Sequence, residues 1–82
     1  MRLPRDLSGR DLARALERLG YRVTRQTGSH IRLTTQDPTE HHLTVPDHDS
    51  LRVGTLGAIV NDVAAHARID RDRVVELIVK SD

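Results

Sequence analysis

Along this 82-residue chain the spacing of apolar positions changes from helical to alternating and back. Leu12, Ala15, Leu16 and Leu19 fall at helical intervals. Ahead of them Ser8 and Asp11 read as an N-cap with an acidic N3 residue, and behind them Gly20 is a good C′ stop. The spacing predicts a first helix over residues 9–19, after a lead-in over 1–7 where Pro4 opposes helix. From Tyr21 the period is two, and residues 21–26, 30–35 and 41–45 read as strands. Gly28 and Ser29 supply a tight turn between the first two, and a Pro38-containing turn joins the second to the third. Pro46 ends the third strand and residues 47–50 are loop. Helical spacing then returns with Leu56, Ile59, Val60, Val63 and Ala64, predicting a second helix over 56–66 with Thr55 as its N-cap. Asp70 is expected to cap a third, about residues 71–79, burying Val74, Leu77 and Ile78.

The order is α-β-β-β-α with a short extra C-terminal helix. Strict alternation puts Tyr21, Val23, Ile31, Leu33, Leu43 and Val45 on one apolar sheet face. Arg22, Thr24, Gln26, His30, Arg32, Thr34, His42 and Thr44 then share the other. A sheet with one apolar face must bury it, and the first two helices are its natural cover, which leaves the polar face wet. The expected fold is therefore α+β: a two-layer sandwich on a three-stranded antiparallel sheet, close in layout to double-stranded-RNA-binding domains. At this length a single domain over residues 1–82 is expected.

Composition narrows the picture. One Tyr and no Phe or Trp leave Leu, Val, Ile and Ala to make the core. No cysteine means no disulfide scaffold and no thiolate metal site. No apolar run approaches the ~20 residues of a membrane span, and no leader is expected. A cytoplasmic location fits best. The net charge of +1 is unevenly spread. Residues 1–35 carry eight arginines against Asp6, Asp11 and Glu17, giving +5, and residues 36–82 carry five basic against nine acidic groups, giving −4. The basic half, which includes the hairpin, is a modest footprint for a polyanion, although solvated surface charge accounts for it as well. The acidic half would suit a basic protein surface.

Among candidate chemical groups His30 stands out, because it opens the second strand on the open face beside Arg22 and Arg32. His41, His42 and His48 invite a metal reading, but adjacent His41 and His42 point to opposite faces of a strand. A polar loop is the simpler account of Asp47, His48 and Asp49, so no metal and no cofactor are expected. His66, near the end of the second helix, is expected to complement the helix dipole. Gly54 and Thr55 read as a turn and a cap, and Arg10, Arg14 and Arg18 as a solvated helix face that could also touch phosphate.

Three motifs in order carry a family resemblance over most of the chain. Leu19-Gly20-Tyr21 leads to Gly28-Ser29-His30; Val45-Pro46-Asp47-His48 follows; Gly54-Thr55-Leu56 then precedes Ile59. Together they resemble the HicA family, the mRNA interferase toxins of HicAB toxin–antitoxin pairs. The resemblance implies metal-independent cleavage of mRNA, a catalytic histidine at His30, and a HicB-like antitoxin that covers the active face. On this reading Gly28, Ser29, Arg22, Arg25 and Arg32 are the RNA-binding residues. RNA brings its own nucleophile, the 2′-hydroxyl, so a histidine as base or acid and cations for the phosphorane are the groups required. One histidine cannot be both base and acid in one step, and His42 is the remaining candidate on that face. The alternative is a non-catalytic module of the same fold that binds RNA or the antitoxin.

Overall fold

In the computed structural model, which describes residues 2–80, the order is α1 (Gly9–Arg18), β1 (Arg22–Thr27), β2 (His30–Thr35), β3 (His41–Pro46), α2 (Val53–Ala67) and α3 (Arg71–Lys80). Met1 of the expected lead-in and residues 81–82 at the end of the expected domain lie outside the described residues. The three antiparallel strands form one sheet in the order β1-β2-β3, so the fold is α+β as expected.

The ends of α1 follow its sequence signals. The Asp11 N–H donates to Ser8 Oγ at 3.0 Å. At the other end Gly20 takes φ +101°, its N–H donates to the Glu17 carbonyl, and the Tyr21 N–H donates to that of Leu16. That pair of bonds is a Schellman closure, and it turns the chain directly into β1. The start of α2 differs from expectation. The helix begins at Val53, its N-cap is Arg52 with no side-chain cap, and Thr55 lies inside the first turn. In α3 the buried stripe is Val74, Val75 and Ile78 in place of Val74, Leu77 and Ile78. The helix packs on both α1 and α2, and Val75 is turned fully into the core they share.

One core cluster joins Leu12 and Leu16 of α1, Ile31, Leu33, Leu43 and Val45 of the sheet, and the expected stripe of α2. Tyr21 belongs to it. Thr35, buried on the same face, has its hydroxyl satisfied by the Asp37 N–H at 3.1 Å.

β1 departs from strict alternation. Val23 pairs with Leu33, but the next pair is Arg25 with Arg32, so Thr24 is an extra residue in a β-bulge. Past the bulge the faces exchange. Arg25 moves to the open face opposite Arg32, and Gln26 moves to the helix side opposite Ile31. Val23 does keep the helix side, yet it is 44% exposed, because β1 is an edge strand. A cleft of about 200 Å³ separates Val23 and Gln26 from Ala13 of α1.

Candidate functional site

The sheet register lays the open face out in three rows. Thr27, His30 and Pro46 form the first, Arg25, Arg32 and Thr44 the second, and Arg22, Thr34 and His42 the third. Successive rows are two residues apart along β2, about 6.6 Å.

His30 heads β2 because the turn before it is tight. Gly28 sits at φ +56° at the first of the two turn positions, where a II′ hairpin turn requires a positive φ, and nothing would meet a side chain there within 4 Å. The loop after β3 braces this turn. The Asp47 N–H donates to the Ser29 carbonyl at 2.7 Å. The Asp47 carboxylate accepts from Gln26 Nε2 at 3.0 Å and faces Arg10 Nε at 3.4 Å. Without the Thr24 bulge Gln26 would point to the other face and miss this contact. The start of α1 closes the arrangement, since the Gly9 N–H donates to the His48 carbonyl at 2.9 Å. A Cβ on Gly9 would stand 1.9 Å from the Pro46 oxygen, so only glycine fits where the helix meets the strand end. No local pattern in the sequence links Gly9 or Gln26 to the hairpin, and for Asp47 the one signal is its place after Pro46.

The His30 imidazole is exposed and, among the described residues, has no hydrogen-bond partner. One row away, the exposed Arg25 and Arg32 are directly paired. Neither joins an ion pair among the described residues. Like charges opposite one another on a sheet are unfavourable, so this face holds uncompensated positive charge.

His42 does not join His30. It pairs with Thr34, four residues along β2 and about 13 Å away, too far for the two rings to serve one phosphate. It is held instead in a chain of its own. Glu40 Oε2 lies 2.8 Å from Nε2, Thr34 Oγ1 lies 2.8 Å from Nδ1, and Thr24 Oγ1 lies 3.3 Å from the Thr34 hydroxyl. His48 is exposed at the same sheet end as His30, two residues past its partner Pro46.

His41, as expected, points the other way. On the helix side its Nδ1 meets the Tyr21 hydroxyl at 2.8 Å and its Nε2 meets Asp62 Oδ1 at 3.1 Å. His66 stacks on the His41 ring with centroids 4.3 Å apart and planes 10° from parallel. His66 therefore packs α2 onto the sheet, and its Nε2 is buried with no partner among the described residues. Burial first, and the Asp62 charge second, push the Tyr21 hydroxyl up to about 12 from its usual 10. This network ties β1, β3 and α2 together at the end of the sheet remote from His30. Among the described residues no group of three or more His, Cys, Asp or Glu is placed to hold a metal ion, and no helix is long and apolar enough to cross a membrane.

Fold and face together define a class: a small α+β domain with helices on one side of its sheet and an open, arginine-bearing surface with a free histidine on the other. The model of the HicA toxin of bacterial toxin–antitoxin systems matches residues 9–65, from the start of α1 almost to the end of α2, and the chain belongs to this family. Its role is that of the toxin, which has an antitoxin as partner. No curated protein and no solved structure matches the chain.

Proposed function

We propose that this toxin is an endoribonuclease that cleaves mRNA in the cytoplasm at His30, without metal, and that a HicB-like antitoxin silences it. The observation that carries the reading is the exposed Arg25–Arg32 pair one row from a free imidazole. A cross-strand like-charge pair is unfavourable on a face with no anionic ligand, and phosphate is an anion that guanidinium groups bind in bidentate fashion.

His30 takes the proton from a ribose 2′-hydroxyl. The 2′-oxygen attacks the adjacent phosphorus, forming the P–O2′ bond. Arg32 and Arg25 stabilise the added negative charge of the phosphorane. The P–O5′ bond then breaks, and the 5′-oxygen takes a proton from solvent water, leaving a 2′,3′-cyclic phosphate and a 5′-hydroxyl. Gly28 and Ser29, small and with open space over the glycine, admit the RNA backbone close to His30. Arg22 lies farther along the same face.

One observation favours the alternative of a binding module: no described side chain orients the His30 ring. The test separates the two. Expression of the chain alone should arrest growth and fragment mRNA, and purified protein should cut RNA in excess EDTA. The folded His30→Ala variant should bind RNA without cutting it. Equal toxicity of wild type and folded variant would refute the role of His30, and activity lost to EDTA and restored by a divalent ion would refute the metal-free reaction.

A further inference from the structure

The third row of the open face is built as a site, although the reaction at His30 makes no use of it. A pocket of about 380 Å³ opens there, walled by Arg22, Thr24 and Thr34 of the sheet and by Gly20 and Gln36 of the flanking turns. Arg22 is exposed and without an ion-pair partner among the described residues. The Thr24, Thr34 and His42 side chains are linked in series and end on Glu40. Glu40 is thereby taken up by His42, and Asp37 at the rim is the acidic group left facing the pocket.

We infer that this row is a second phosphate subsite for the same RNA strand that is cut at His30. The inference rests on the RNA-cleavage reading and adds to it the path and the minimum length of the substrate. A phosphodiester carries one negative charge, which the Arg22 guanidinium matches, and the threonine hydroxyls offer further donors. Glu40 holds the His42 ring by Nε2–H. Through Nδ1 the ring in turn fixes the Thr34 hydroxyl at the pocket wall. The rows of His30 and Thr34 are about 13 Å apart, which is about four nucleotides of stacked strand and fewer of a stretched one. Arg25 and Arg32 lie between and carry the phosphates on the way. The strand thus runs along β2. A single strand is the occupant, because the rows lie in one line along one β-strand. With the one tyrosine of the chain buried, the face reads backbone and charge before bases.

The test is the affinity of the whole chain for 2′-O-methylated RNA, which lacks the attacking hydroxyl and stays uncut, read by fluorescence anisotropy. A trinucleotide is too short to touch both ends of the face, whereas an octanucleotide spans them. Arg22→Ala should weaken the octanucleotide about tenfold, lower its salt slope by about one, and leave the trinucleotide unchanged. His42→Ala, and Thr34→Val as the variant that preserves strand shape, should weaken only the octanucleotide, by a smaller factor. If the variants weaken both lengths alike, or neither, the subsite is refuted while the RNA reading stands. If wild type binds neither length, the RNA reading falls and the subsite with it.

Discussion

Gly9→Ala is the sharpest test of how the fold carries the hairpin. In an exposed helix this substitution is favourable, by at most about 1 kcal/mol. Here the new Cβ would lie 1.9 Å from the Pro46 carbonyl oxygen, 2.9 Å from its carbon and 3.1 Å from the Asp47 Cα. All three are backbone atoms, so no side chain can swing aside. Relief requires α1 and the strand end to part by more than an ångström, and overpacking of this kind costs about 1–3 kcal/mol. The 2.9 Å bond from the Gly9 N–H to the His48 carbonyl lies in the path of that movement, and its loss adds about 1 kcal/mol. The clash outweighs the helix propensity, for a net loss of about 2 kcal/mol. For a domain of this size that lowers the melting temperature by about 8–16 °C. Gly54→Ala is the internal control. It is the same substitution in the first turn of α2, where nothing lies within 4 Å of the added Cβ, and it should raise stability by about 0.5 kcal/mol. Because Pro46 is the cross-strand partner of His30, Gly9→Ala should also lower RNA cleavage at temperatures where the variant is fully folded. Thermal melts of the two variants decide the matter. If Gly9→Ala melts with wild type or above it, the helix start does not bear on the strand end as described.

Asp47→Ala should reduce RNA cleavage more than RNA affinity, because it frees Gln26 and Arg10 from the hairpin brace, and Asp47→Asn, which still accepts from Gln26, should recover most of the loss; unchanged cleavage in folded Asp47→Ala refutes the brace. The stability change should be only about 1 kcal/mol, since Arg10 is 72% exposed and its ion pair contributes little. Tyr21 sets an alkaline limit. Its hydroxyl titrates near 10 unfolded and about 12 folded, so the folded state holds the proton more tightly, and stability present below pH 10 is lost as pH rises to 12, by about 2–3 kcal/mol. Urea midpoints taken across that range should fall for wild type and stay flatter for Tyr21→Phe; parallel slopes would refute it. Charge reversal at Arg25 and Arg32 should weaken RNA and antitoxin together, and a ternary complex of His30→Ala protein, RNA and antitoxin, seen by sizing, would refute masking of this face.

Periodicity made most of the fold legible. The apolar residues of α2 are the ones its helical spacing marks, and β2 has the expected bounds. The misses have local causes. Thr55 resembles an N-cap, but helical geometry extends back to Val53 with no capping side chain, a start that no residue type announces. Val75 displaces Leu77 because α3 meets α1 as well as α2, which turns the helix by a fraction of its circumference. The bulge matters most for function. Thr24 is a good strand former and carries no glycine-like mark, so strict alternation sends Arg25 to the helix side and Gln26 to the open face. His30, Arg32 and Arg22 are readable on the open face from alternation, whereas Arg25, expected to bind RNA, reaches that face only through the bulge. The Tyr21–His41–Asp62 chain joins residues about twenty positions apart, which no local pattern reveals.

The two faces of the sheet meet opposite demands, and this explains where the polar groups are satisfied. On the helix side the buried side-chain polar groups of the described residues are answered by neighbours, as Thr35 is by Asp37 and Tyr21 by His41, apart from His66 Nε2. On the open face the charges of Arg22, Arg25 and Arg32 have no ion-pair partners among the described residues, and the Arg25–Arg32 pairing costs a few tenths to about 1 kcal/mol. A small domain has little stability to spare, so a ligand that relieves the repulsion stabilises the fold as well as binding to it. RNA would relieve it, and so would an acidic surface of the antitoxin. Both partners then gain from the same arginines, and neither gains where the other is already bound. On the proposed reading, exclusion of RNA by the antitoxin follows from that shared charge and needs no change of shape in the toxin.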